Sequence, residues 1–290
     1  MSFSLLTPLA IATVLAVAIT TLHRRLTPAL AARTATLCVV VLAAAAMPTL
    51  WLVAIGYLAH LPFLHGRLDW CAETFGLHEA IGPWLGVPAV VLSVLGIARL
   101  GRTLASYRRL RHHHSDGVEV AHHDEVFAVT LPGRGGHVLL SSSLVNMLDE
   151  AEQTIVIAHE QAHASHRHDR FLLVAQLAVA VLPPLLPLAR RVQFSLERWA
   201  DEHAVSKCGD RQLVARTLGR VALRSTSPAG ALAFSGLGVP ARVAALLAPP
   251  TLPLRSPSKL LLFGALGMLT AFSLYQWHHV VLMVAELCAL

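Results

Sequence analysis

Residues 150–165 read EAEQTIVIAHEQAHAS, a stretch that contains two histidines four positions apart. Its apolar side chains, among them Ile155, recur at the spacing of an amphipathic helix. Because residues four apart lie one turn above another on the same helical face, His159 and His163 can present two imidazoles to one point. Glu160 lies between them in sequence. The stretch therefore predicts a helix that can bind a metal ion.

A second polar pair, Glu197 and Asp201, follows downstream in the run ERWAD. A catalytic Zn²⁺ takes three protein ligands and keeps a fourth position open for water. We therefore expect His159, His163 and Glu197 to bind one Zn²⁺. Glu160 would face the water as a general base. Asp201, one turn after Glu197, is expected to orient a ligand imidazole.

Other polar residues near these two runs have weaker assignments. His203 and Arg198 are candidate donors to an oxyanion because they lie close to Glu197 in sequence, and the alternative is that both are charges on the helix surface. His166 and His168 are expected at the C-terminal end of the motif helix, where cations suit the helix dipole.

The composition indicates a membrane protein. Of 290 residues, 55% are hydrophobic and only 14% charged, and the mean hydropathy is +0.59. The formal net charge of +6 comes mainly from arginines beside apolar runs, which excludes nucleic-acid binding. Four scattered cysteines exclude a cysteine-based zinc site and a disulfide scaffold.

Four apolar runs are long enough to cross a bilayer, at residues 3–22, 35–59, 81–97 and 259–290. Arginines follow the first and third runs, whereas acidic residues follow the second. The positive-inside rule then places the N-terminus outside and residues 101–258 in the cytoplasm. We expect a membrane module at 1–100, a cytoplasmic catalytic domain at 101–258 and a last span at 259–290.

A fifth apolar run, residues 171–189, contains the pair Pro183 and Pro184. A single crossing there would put Glu197 on the opposite side of the bilayer from His159, yet both must reach one ion. We therefore expect a re-entrant or interfacial hairpin that is broken at the proline pair. The metal would then lie at the membrane face.

Two β-prone runs, residues 126–131 and 137–141, precede the motif helix and are joined by a glycine-rich segment. They predict a hairpin. We expect residues 137–140 to offer an edge to an extended peptide, and the alternative is a purely structural hairpin.

HEQAH followed by ERWAD resembles the HExxH and ExxxD pair of the gluzincin metalloproteases. The predicted spans narrow the resemblance to the BlaR/MecR-type sensor-transducer peptidases and the related HtpX and CAAX prenyl protease group. The resemblance covers residues 126–205. It implies a mainly α-helical polytopic membrane protein with a small α+β zincin-like cytoplasmic metalloprotease domain. It also implies that His159, His163 and Glu197 are zinc ligands, Glu160 the general base and Asp201 the carboxylate behind a ligand.

The expected function is that of a zinc metalloendopeptidase in the plasma (inner) membrane. Its partners would be the lipid bilayer and a protein substrate, with a transcriptional repressor or a small membrane protein as candidates in regulatory signalling. Because the chain ends at Leu290, we expect no penicillin-binding sensor domain.

One alternative is a metal-handling membrane protein, a zinc transporter or sensor that uses the tracts His112–His114 and His122–His123, which we otherwise expect to be loops. The other is an inactive relative that serves as a scaffold.

Overall fold

The computed structural model describes residues 26–62, 81–111, 117–131, 137–225 and 238–248, together with isolated positions between 263 and 278. The predicted span at 3–22, the tract His112–His114 and most of the predicted span at 259–290 lie outside the described residues. The described part is mostly helical and includes one small sheet.

Two long apolar helices come first, α1 (Pro28–Ala59) and α2 (Pro83–Arg111). Both are long and apolar enough to cross a membrane. Each extends beyond the predicted apolar run. The two helices meet at Gly86, where a Cβ atom would clash with the Tyr57 ring, so this contact requires glycine.

A three-stranded sheet follows, with β1 (Gly117–Ala121), β2 (Ala128–Leu131) and β3 (His137–Ser141) in the order β1-β3-β2. The antiparallel pairing of β2 with β3 confirms the predicted hairpin. The expectation of an open edge at 137–140 was wrong, because β1 pairs in parallel with the other side of β3. The run GVEVA of β1 is short and begins with glycine, so it gave little strand signal. Within the described residues, the edge strands are β1 and β2.

Six further helices complete the described part of the chain. They are α3 (Ser142–Met147), α4 (Glu150–Ser165), α5 (His168–Val181), α6 (Leu186–Cys208), α7 (Arg211–Arg224) and α8 (Val239–Leu247).

Helix α4 is the predicted motif helix, and a capping box fixes its start. The Asp149 carboxylate accepts a hydrogen bond from the Glu152 backbone N–H at 2.8 Å, and the Glu152 carboxylate accepts one from the Asp149 backbone N–H at 3.1 Å. Glu152 is buried and pairs with Arg220 of α7 at 2.6 Å. The start of α4 is therefore tied to the rest of the polar region.

The apolar run at 171–189 forms a helical hairpin. Helix α5 ends at Val181, a 3₁₀ turn spans Pro183–Leu185, and α6 then runs back toward α4. The proline pair breaks the helix as expected, because proline cannot continue the preceding helical hydrogen bonds. The main apolar core joins this hairpin to α1 through Val39, Leu188 and Val192, among others.

The hairpin also lies along α2. The Tyr107 hydroxyl, near the end of α2, donates to Asp169 at the start of α5 at 2.7 Å. Gly96, further toward the middle of α2, lies against the backbone of Val181 at the other end of α5. Helix α5 therefore runs from the arginine-rich end of α2 toward its apolar middle.

Candidate metal centre

Helices α4 and α6 cross so that three ligand atoms converge. The Nε2 atoms of His159 and His163 lie 3.2 Å apart. The Glu197 carboxylate lies 3.5 Å from Nε2 of His159 and 3.7 Å from Nε2 of His163. Among the described residues, these three form the one group of His, Cys, Asp or Glu side chains arranged to hold a metal ion.

The spacing fits zinc. Tetrahedral zinc with ligand bonds of about 2.0–2.1 Å places neighbouring ligand atoms about 3.3 Å apart, and the three observed separations lie close to this value. Two imidazoles and a carboxylate are also a ligand set found at catalytic zinc sites. The Glu197 side chain is 25% exposed and those of His159 and His163 are 17% and 15% exposed. The group is therefore partly exposed to solvent.

The other ring nitrogens of the two histidines point away from this group. Nδ1 of His159 lies 3.2 Å from Oδ1 of Asp201, as expected for a carboxylate that orients this imidazole. Nδ1 of His163 lies 3.0 Å from Nδ1 of His168. The sequence analysis placed His168 at the end of α4 as a cation, which was wrong, because it is fully buried and begins α5.

Arg242 of α8 also belongs to this group of side chains, although the sequence analysis did not identify it. It is 5% exposed, donates two hydrogen bonds to Asp201 at 2.9 and 2.6 Å, and lies 2.8 Å from Glu197. No local spacing could reveal this contact, because Arg242 is separated from Asp201 by a long stretch of chain. The only local signal is an arginine within the apolar run of α8.

The sequence analysis likewise did not identify Thr130 as a residue of the site. Its hydroxyl, on β2, lies 2.7 Å from the Glu160 carboxylate and 2.9 Å from the Glu160 backbone oxygen. The Glu160 carboxylate is therefore held by a residue of the sheet. A threonine in a β-prone run gives no sequence signal of its own, because threonine is common in strands.

The charges at the centre stabilise one another. Burial would raise the pKa of Glu197, but the charge of Arg242 holds it well below its ordinary range. Burial would also raise the pKa of Asp201, and hydrogen bonds from Arg242 lower it instead. Burial alone would lower the pKa of His159, but its hydrogen bonds with Asp201 and Glu197 raise it to about 10. A bound metal would take the place of the His159 proton on the side facing Glu197.

The pKa of His168, on α5, is shifted in the opposite direction to that of His159. Burial lowers the pKa of His168 to about 2, and the nearby His163 acts in the same direction. The ring of His168 is therefore neutral.

The weaker candidates lie beside the centre. Arg198 extends along α6 toward Glu202, 3.8 Å away, and the His203 ring packs edge-on against His166. Their role as oxyanion donors stays a prediction. The pair His122 and His123 lies in an irregular segment between β1 and β2, which confirms the loop prediction for this tract.

A comparison with known protein families found a match to part of the chain. The family model described as Peptidase family M48 matches residues 96–186, which include His159, Glu160 and His163. Glu197, Asp201 and Arg242 follow the matched region. No curated protein and no solved structure matches the chain. Peptidases of this family are zinc-dependent, so the match supports a metallopeptidase function, and the group of His159, His163 and Glu197 is compatible with the metal that such a function needs.

Proposed function

We propose that the protein is a membrane-embedded zinc endopeptidase that hydrolyses peptide bonds of a cytoplasmic or membrane-associated protein. The observation that carries the proposal is the convergence of His159, His163 and Glu197 beside a carboxylate, Glu160, that is held by a separate hydrogen bond. A site that only stores or transports zinc needs no such carboxylate. We assign His159, His163 and Glu197 as the metal ligands.

A zinc ion held by His159, His163 and Glu197 would supply a Lewis acid that acidifies water and polarises the scissile carbonyl. Glu160 takes the proton from the attacking water and passes it to the leaving amine. The Thr130 hydroxyl fixes one oxygen of the Glu160 carboxylate, which leaves the other oxygen for this transfer. Asp201 holds the His159 ring, and Arg242 balances the charges of Asp201 and Glu197.

The substrate would bind along β2 in an extended conformation. Strand β2 carries Thr130 next to Glu160, and within the described residues only β3 pairs with it. An unpaired strand edge offers backbone donors and acceptors to an extended peptide. This edge takes the place of the one that the sequence analysis assigned to β3.

The position of the α5–α6 hairpin favours the re-entrant alternative. Its base lies at Tyr107, beside the arginine-rich end of α2, and its tip lies at Gly96 in the apolar part of that helix. Residues 83–95 of α2 continue for about 20 Å beyond the tip, at 1.5 Å per residue. The hairpin would thus enter the bilayer from the cytoplasmic side without crossing it.

In this arrangement the metal centre lies at the membrane face, in reach of membrane proteins and tethered repressors. The multi-span topology, the plasma-membrane location and a role in regulatory signalling of the BlaR/MecR type belong to the same proposal.

The proposal is tested by proteolysis in detergent. Purified protein should cleave fluorescein-labelled casein in a zinc-dependent reaction that Glu160→Gln abolishes. A fall of about 10²–10⁴-fold is expected, because the general base is removed while the metal ligands remain. The matched control, Glu150→Gln, changes an exposed glutamate at the other end of the same helix and should leave the rate unchanged. Zinc binding by wild type with no Glu160-dependent cleavage would favour metal handling instead.

A further inference from the structure

We propose that His168 is a positioning residue for His163, because its Nδ1 atom accepts the Nδ1–H of His163 and so fixes the tautomer that turns Nε2 toward the metal. The inference rests on the metal centre of the proposed function, and it assigns a role to a residue outside the HExxH and ExxxD runs.

The geometry of His163 leaves little freedom in assigning its proton. Its Nε2 faces His159 and Glu197, and its Nδ1 lies 3.0 Å from Nδ1 of His168. A nitrogen that binds a metal carries no proton, so the neutral His163 ring holds its proton on Nδ1. Only one proton fits between the two Nδ1 atoms. His168 must therefore accept through Nδ1 and hold its own proton on Nε2.

The surroundings of His168 are a second, independent observation. Its ring is fully buried, and the Trp199 and Phe171 rings pack around it. Among the described residues, no side chain or backbone group pairs with its Nε2. A buried polar atom without a partner is unfavourable, and an apolar side chain would fill this space without one. Packing alone therefore does not explain a histidine at this position, whereas the bond to His163 does.

The backbone before His168 supports the same interpretation. Arg167 has φ 54°, in the left-handed region that residues other than glycine rarely adopt. Within the described residues, it is the one non-glycine residue with positive φ. This turn separates α4 from α5 and directly precedes His168, whose ring contacts His163.

The rings of His159 and His163 are therefore held by different kinds of group. Behind His159 lies an ionised carboxylate, Asp201, and behind His163 lies a neutral imidazole. Asp201 and Glu197 already share the single charge of Arg242. A neutral acceptor behind His163 orients the ring without adding a further buried negative charge.

The test compares two substitutions of His168 in the full-length protein in detergent. In His168→Asn, the amide oxygen can accept the His163 proton from the position of Nδ1. In His168→Leu, the space is filled but no acceptor remains. The dissociation constant for Zn²⁺ is measured by competition with a fluorescent chelator. His168→Leu should weaken zinc binding by about 10–100-fold, and His168→Asn should stay within about threefold of wild type.

A matched control and a stability measurement separate positioning from packing. His166→Leu changes the neighbouring histidine that stacks on Trp199, and it should leave the zinc affinity unchanged. The metal-free His168→Leu protein should melt close to the wild-type temperature, because the unpartnered Nε2 of His168 is exchanged for an unpartnered Nδ1–H of His163. Equal zinc affinities of wild type and His168→Leu, or equal losses in the Leu and Asn variants, would overturn the inference.

A measurement on the wild-type protein does not depend on how the variants fold. Histidine ¹⁵N chemical shifts of the zinc-loaded protein should show His163 protonated at Nδ1 and His168 protonated at Nε2. The opposite tautomers would overturn the inference.

Normal zinc binding without any proteolysis would contradict the proposed peptidase and leave the role of His168 intact. A wild-type protein that binds no zinc would overturn both.

Discussion

At the scale of single residues, Arg242 carries the charge balance of the metal centre. Replacing it with methionine leaves two buried carboxylates, Glu197 and Asp201, without their cation. Breaking a buried ion pair from one side costs about 3 kcal/mol or more. We expect Arg242→Met to lower the free energy of unfolding of the metal-free protein by about this amount. Bound zinc should reduce the loss, because it supplies positive charge to Glu197.

The matched control for this prediction is Glu202→Gln, which removes the Arg211 ion pair but keeps the bonds from Arg211 to the backbone of α8. Arg211 makes an equally short ion pair with Glu202, at 2.7 Å, but both side chains are about a third exposed. Exposed pairs contribute about 1 kcal/mol or less. Thermal unfolding with and without zinc measures the difference. If both variants lose equal stability, or if zinc has no effect on the Arg242 variant, the assigned charge balance is wrong.

Thr130 makes a second prediction at this scale. Thr130→Val keeps the shape of the side chain but removes the hydroxyl that holds the Glu160 carboxylate at 2.7 Å. We expect kcat for casein cleavage to fall about 10–150-fold, because a hydrogen bond to a charged group contributes about 1.5–3 kcal/mol. Zinc content should not change.

The conservative variant Thr130→Ser retains a hydroxyl and should keep most of the activity. Wild-type kcat in the valine variant would show that Glu160 does not depend on the sheet for its orientation.

At the scale of elements, Gly238 sets the start of α8 and so the position of Arg242. Its φ is +104°, and a Cβ atom there would lie 2.9 Å from the Phe194 ring of α6. Gly238→Ala should therefore destabilise the protein by about 2 kcal/mol through backbone strain and this clash. Gly209→Ala is the control, because Gly209 also has positive φ, at +76°, but has open space around it. Melting temperatures should rank Gly238→Ala below Gly209→Ala, and the reverse order would contradict the packing of α8 on α6.

In the proposed arrangement, the α5–α6 hairpin is the element that connects the candidate metal centre with the bilayer. We expect a cysteine at Pro184, at the exposed tip, to resist a membrane-impermeant maleimide in proteoliposomes when the native cysteines are replaced by alanine. A cysteine at Ser206, near the other end of α6, should react from the cytoplasmic side. Labelling of both positions at similar rates would contradict a re-entrant hairpin and favour an interfacial one.

At the scale of the whole molecule, local patterns predicted most elements and the core of the site. The periodicity of residues 150–165 predicted α4, and the proline pair predicted the break between α5 and α6. Because Glu197 and His159 must reach one ion, the chain between them was expected to form a hairpin. These features depend on short-range sequence, which fixes helical faces and helix ends. The histidine, glutamate and aspartate residues of the two motifs could be placed for the same reason.

Contacts between residues that are distant in sequence could not be predicted from local sequence patterns. Strand β1 was missed, and with it the central position of β3, because strand order depends on pairing rather than on the composition of one strand. Arg242 and Thr130 reach the centre from distant parts of the chain. His168 was expected as a cation at the C-terminal end of α4, because nothing in the neighbouring sequence shows that its ring is buried against His163. Arg242 and Thr130 contact motif residues that are distant in sequence, whereas His168 contacts His163 across the turn at Arg167.

The most direct test of the central claim is the zinc content of the purified protein and of two variants. Wild type and Glu160→Gln should each hold about one zinc per chain, and Glu197→Ala should lose it, because a catalytic zinc needs all three protein ligands. Dialysis against a chelator should remove the zinc from wild type and lower its melting temperature. Zinc that remains in Glu197→Ala, or several zinc ions per chain, would contradict a three-ligand centre built from α4 and α6.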